Sequence, residues 1–86
     1  MRSVKIKVNI IEGLHARPAS RLVGLCHRFV SSIMISMQKA SADGKNITEV
    51  LGLGAGMGNI LTIEISGKDE AGAGKALKDF FRTGAE

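Results

Sequence analysis

Tryptophan and tyrosine are absent, and three phenylalanines are the only aromatic side chains among 86 residues. The core must therefore be mostly aliphatic, and no aromatic ladder exists on which nucleic-acid bases could stack. A single cysteine, Cys26, excludes an intramolecular disulfide and a cysteine-rich zinc site. Lying inside an apolar helical pattern, it reads as a small core residue. Only two histidines occur, His15 and His27, and no carboxylate pair stands beside them at a ligand spacing. That argues against a metal centre, and equally against an independent hydrolase. No apolar run reaches membrane-spanning length. Met1 to Val8 lacks the apolar stretch and cleavage site of a signal peptide. The expected location is the cytoplasm, without direct membrane insertion. Acidic residues are outnumbered, 8 against 12 basic, for a formal charge of +4. The basic residues form no dense run, so this charge is first a matter of solubility and argues against a nucleic-acid module. The length suits one domain, residues 1–86, with a modest core.

The apolar positions are patterned. Val4, Ile6, Val8 and Ile10 alternate with polar residues as in a half-buried strand, ended by Glu12-Gly13. From Pro18 to about Phe29, Ala19, Leu22, Val23, Cys26 and Phe29 or Val30 recur at helical spacing. Ile33, Ile35 and Met37 predict a second strand, and Ala40-Ser41-Ala42 a short third one closed by Asp43-Gly44. Asn46 can cap a brief helix carrying Ile47, Val50, Leu51 and Leu53. Leu61, Ile63 and Ile65 predict the last strand, with Lys5, Lys7, Thr62 and Glu64 on an exposed face. Asp69 can cap a final helix whose inner face is Ala73, Ala76, Leu77, Phe80 and Phe81. The order βαββαβα suits an α+β fold, an open-faced β-sandwich of antiparallel strands covered on one face by helices.

Two segments carry candidate chemistry. Gly13-Leu14-His15-Ala16-Arg17-Pro18 places an imidazole after a tight turn, an arginine two residues later, and a proline suited to a first helical turn. The backbone N–H groups of Ala16, Arg17 and the following turn would be donors without helical partners, backed by the positive end of the helix dipole. An anion beside His15 would meet those donors and the Arg17 charge. Ser20 is a helix residue or a further donor. His27 reads as a surface or edge residue within the helix. The run Gly52 to Gly58 fails as a dinucleotide fingerprint, since its third glycine would fall at Met57. It reads as a permissive connector with more glycine than one turn requires.

The Gly13–Pro18 segment resembles the active-site signature of the HPr family, the histidine-containing phosphocarriers of the bacterial phosphotransferase system. The similarity extends over the length, the element order, and the spacing from His15 to Lys45-Asn46-Ile47 and Gly52-Leu53. It implies a four-stranded sheet with three helices, and a carrier, not an independent enzyme. It implies that His15 accepts a phosphoryl group on its pros nitrogen from enzyme I, charged by phosphoenolpyruvate, and passes it to IIA components of sugar permeases. Arg17 would stabilise the phosphate together with the Ala16 and Arg17 backbone N–H groups. Ile47, Thr48, Leu51, Gly52 and Ser20 would line a docking surface for these partners, with Val50 and Leu53 more buried. No cofactor or metal is implied, and a monomer suffices.

The sequence departs from many members at Asn46, where they carry a regulatory serine. An amide cannot be phosphorylated, so no regulatory site is expected at Asn46. Thr48 and Ser41 are the nearby hydroxyls, and Asn46 reads as a helix cap. Two alternatives stay open: a paralogue serving a nitrogen-type regulatory branch, and a non-phosphorylated docking protein acting through the Ile47–Leu51 surface.

Overall fold

A computed structural model describes residues 1–82, so the expected boundary at residue 86 lies outside the described residues. The elements run β1 (Arg2–Lys7), α1 (Ala16–Cys26), β2 (Ser32–Met37), β3 (Ala40–Asp43), α2 (Ile47–Gly52), β4 (Ile60–Ser66) and α3 (Glu70–Arg82). The strands form one antiparallel sheet in the order β1-β4-β2-β3. Helix α1 links β1 to β2 while leaving a strand's width between them, and β4 fills that place. The register is Arg2 opposite Ile65 and Ile65 opposite Ile33, with Lys7 opposite Ile60 at the other end of the sheet.

Side chains of a strand alternate between faces, so each strand of this sheet sends every second residue under the helices. Val4 and Ile6, Ile33 and Ile35, Ala42, and Leu61, Ile63 and Ile65 meet Ala19, Leu22 and Cys26 of α1 in one buried cluster with Val50, Ala73, Leu77 and Phe81. Phe80 and Phe81 pack edge to face, ring centroids 5.1 Å apart. Burial of Ala73, Leu77 and Phe81, with Phe80 packed against the same core, holds α3 despite Gly72 and Gly74, which weaken it intrinsically. Cys26 is wholly inside, and burial pushes its thiol up to about 12. It remains a neutral core residue, as the sequence pattern suggests.

The open face carries Lys5, Lys7 and Glu64 as expected, but Thr62 is half-buried between Lys5 and Ser36 on neighbouring strands. Strand β1 stops at Lys7, although Val8 and Ile10 stay buried as the alternation requires. Helix α1 begins at Ala16, two residues before Pro18, and ends at Cys26. Its last turn tightens as Arg28 N–H bonds Leu25 C=O and Phe29 N–H bonds Cys26 C=O. Phe29 still packs on the core from beyond the helix, whereas Val30 turns outward. His27 is the C-cap residue and not a mid-helix one. Its Nε2 lies 2.9 Å from the Lys45 carbonyl oxygen, which it bonds as Nε2–H. Lys45 Nζ in turn donates to Phe29 C=O.

Asp69 precedes α3 and its C=O accepts from Ala73 N–H, but its carboxylate is used elsewhere. It accepts from Val30 N–H at 2.9 Å, from Ser31 N–H at 3.0 Å and from the Ser31 hydroxyl, tying the α1–β2 connection to the start of α3. These bonds, that of the Ser31 hydroxyl first, hold the Asp69 carboxyl below the usual carboxylate range. A lowered native pKa means that this stabilisation is present above the unfolded pKa and disappears as pH falls through the native one. Thermal melts from neutral to acid pH should show the native protein losing stability more steeply than Asp69→Asn. Parallel curves would show that the carboxylate's charge adds nothing.

Candidate functional site

The histidine of the sequence signature stands at the end of the sheet where β1 meets the start of β4. Its position is set from the loops beneath it. Gly13 N–H bonds Ile10 C=O, closing a tight turn at Ile11-Glu12. Gly13 adopts φ +72°, and a Cβ there would lie 2.6 Å from the Ala55 carbonyl oxygen. Only glycine suits both the backbone conformation and that approach. Leu14 is buried, and its N–H bonds the same Ala55 C=O at 2.9 Å. His15 follows with its side chain exposed.

His15 is the N-cap residue of α1, in extended backbone geometry, with its C=O accepting from Ala19 N–H. Its imidazole makes no side-chain cap bond. The donors expected along the first turn narrow to two. Pro18 has no N–H, and that of Ala19 is spent on His15 C=O, so Ala16 and Arg17 carry the N–H groups that precede the first helical bond. No acidic side chain lies in this turn to neutralise them. Arg17 is exposed, and its guanidinium has no hydrogen-bond or ion-pair partner among the described residues. An exposed imidazole, two backbone donors and an unpaired guanidinium thus share one exposed helix start. That arrangement can hold a dianionic group on the ring nitrogen and stabilise it without reorganising protein dipoles.

Helix α2 contributes an apolar face. Asn46 Oδ1 accepts from Glu49 N–H at 3.1 Å, the cap its position predicts. Glu49 reaches back to Asp43 N–H. Ile47 and Leu51, one turn apart, are exposed by 37% and 41%, while Val50 and Leu53 are buried. The helix is therefore split between core and surface, as expected. Thr48, Gly52 and Ser20 are also exposed.

Sequence reasoning missed two exposed apolar residues and one connection. Ile11 and Met57, exposed by 88% and 55%, lie on the two loops that the Leu14–Ala55 bond joins. Ile11 had a signal, since it occupies an outward place in the Val4–Ile10 alternation. The glycine-rich run also acquires an account: Gly54 and Gly58 have φ of +64° and +90°, and the intervening backbone is the surface on which Gly13 and Leu14 rest. Among the described residues, no group of His, Cys, Asp and Glu could hold a metal ion. No helix there is long and apolar enough to cross a membrane.

The sequence profile described as "PTS HPr component phosphorylation site" matches residues 2–83. The chain is 42% identical over 65 residues to the phosphocarrier protein HPr of Cupriavidus necator, covering 76% of this chain and 73% of that protein. Its structure is similar to that of HPr-C-His from Thermoanaerobacter tengcongensis, with a TM-score of 0.95, 33% identity, and coverage of 99% and 96% of the two chains. An HPr dimer from the same organism matches at a TM-score of 0.80 and 32% identity, with coverage of 100% and 99%.

Proposed function

Because the chain belongs to the HPr family of phosphotransferase-system phosphocarriers, we propose that His15 is its phosphoryl acceptor, charged by enzyme I and discharged to IIA components of sugar permeases. The observation that carries this reading is the exposed His15 ring, free of any capping bond, at a helix start with two backbone donors and the Arg17 guanidinium.

A neutral imidazole is a good nucleophile near neutral pH. Its pros nitrogen attacks phosphorus as the bond between phosphorus and the donor's phosphorylated group breaks, so one N–P bond forms for each bond lost. Charge in the loose transition state spreads over the equatorial oxygens, where Arg17 and the Ala16 and Arg17 N–H groups can bind it. The same step run toward an acceptor protein empties the site. His15 is thus regenerated only by delivery, and the protein acts as a carrier and not as an independent catalyst. Neither a cofactor nor a metal takes part.

Partner contact falls to Ile47 and Leu51, with Thr48, Gly52 and Ser20 around them. Partly exposed aliphatic side chains suit brief association with several proteins in turn. Asn46, engaged as a cap, offers no hydroxyl for a regulatory phosphate. The proposed carrier is one cytoplasmic domain over residues 1–86, monomeric in its working form.

The test is incubation with enzyme I and phosphoenolpyruvate, followed by intact mass and peptide mapping. One acid-labile phosphoryl group on His15 is the expected result. Absence of modification by a competent cognate enzyme I, or modification at His27, would overturn it. Light scattering on the same sample reads the oligomeric state.

A further inference from the structure

We propose that Asn59 is a positioning residue for His15, acting through the turn at residues 55–59; the inference rests on His15 being the phosphoryl acceptor. Asn59 lies immediately before β4, far along the chain from the histidine. Its Oδ1 accepts from Gly56 N–H at 2.7 Å, and its own N–H bonds Gly56 C=O at 3.0 Å. This reciprocal pair closes the 56–59 turn on itself. The turn is then fastened to the chain ahead of His15 at two places. Val8 bonds it in both directions, N–H to Asn59 C=O and C=O from Gly58 N–H. Leu14 N–H bonds Ala55 C=O, the residue next to Gly56.

These two attachments bracket the turn at Ile11-Glu12 and end one residue short of His15. Every backbone contact of this bracket is made to residues 55–59, so the orientation in which Leu14 delivers His15 depends on the shape of that segment. Three glycines lie at 54, 56 and 58. A backbone so permissive does not hold one conformation by itself. The Asn59 side chain is the group that selects one, because Gly56 N–H has no other acceptor among the described residues. Substituting alanine leaves the main-chain bonds of residue 59 available and removes only this selection.

Phosphoryl transfer from enzyme I is measured for the native protein, Asn59→Ala, Asn59→Asp and Ser31→Ala, with NMR signals of the Leu14 and Gly56 amides and the His15 ring. Asn59→Ala should lower kcat about tenfold with KM changed less than about twofold, and shift all three signals; misplacement of a reacting group by 1 Å can cost on the order of a hundredfold. Asn59→Asp should restore both, since a carboxylate oxygen accepts as the amide oxygen does. Ser31→Ala loses the hydroxyl bond to Asp69 at the opposite end of the sheet, keeping that of its backbone N–H, and should lower stability while leaving kcat and the His15 signals in place. Native kcat and unshifted signals in Asn59→Ala would overturn the proposal. So would failure of Asn59→Asp to restore them, or an equal kcat loss in Ser31→Ala. A native protein that takes no phosphoryl group on His15 removes the functional reading instead. The NMR comparison then still decides whether Asn59 holds His15.

Discussion

A His15→Asn protein keeps its fold, melts several degrees above the native protein, and accepts no phosphoryl group. Loss of transfer follows from removing the ring nitrogen, since an amide nitrogen is no nucleophile. The gain in stability follows from the geometry at the start of α1. His15 occupies the N-cap with extended backbone angles, yet its side chain accepts nothing from the helix. Asparagine is among the strongest N-cap residues because its oxygen reaches a first-turn N–H, and replacing a non-capping residue by it is worth about 1 kcal/mol. In a domain of this size that corresponds to roughly 4–8 °C in melting temperature. Calorimetry and intact mass on one preparation read both effects. A lower melting temperature would mean that the imidazole contributes to the fold. Retained phosphorylation would move the acceptor elsewhere. The expected pair of results describes a position at which stability has been given up for reactivity.

Gly13→Ala should be the most destabilising of the substitutions considered, at about 3 kcal/mol, the upper part of the usual range for single changes. Two causes act together. Alanine at φ +72° costs about 1–2 kcal/mol through its own backbone. Its Cβ would also stand 2.6 Å from Ala55 O and 2.9 Å from the Gly56 Cα. Both neighbours are backbone atoms, so relief requires the 55–58 segment to retreat, stretching the Leu14–Ala55 hydrogen bond. Phosphoryl transfer should therefore fall as well, in the molecules that remain folded. Denaturant unfolding gives the first quantity and initial transfer rates the second. A loss under about 1 kcal/mol would show that the two loops can separate freely.

Much of this molecule was legible because its strands have simple periods. Ile33-Ile35 and Leu61-Ile63-Ile65 alternate without interruption, and each was placed to within a residue or two. The His15 segment stands out through chemistry, because an imidazole, an arginine and a proline at a helix start suit an anion, and the family resemblance supplies the phosphoryl reading. What escaped depends on partners distant in sequence. Asp69 has the position of a cap, and nothing nearby reveals that Ser31 draws its carboxylate away. The number of free first-turn donors is instead a local matter, since the N-cap C=O of His15 takes the Ala19 N–H. The excess of glycine between 52 and 58 makes sense only beside Gly13 and Leu14, which approach it from the other half of the chain.

The place of β4 between β1 and β2 has a consequence for how the protein is made. Arg2 leaves the ribosome some sixty residues ahead of its neighbour in the sheet, since it pairs with Ile65. Until residues 60–66 have been synthesised, β1 has no partner and β2 can pair only with β3, as a local hairpin. The sheet therefore closes late, when the strand that joins its two halves arrives. Contacts so remote in sequence slow folding. A nascent chain paused before residue 60 would expose the alternating apolar face of β1 to whatever chaperone stands at the tunnel exit.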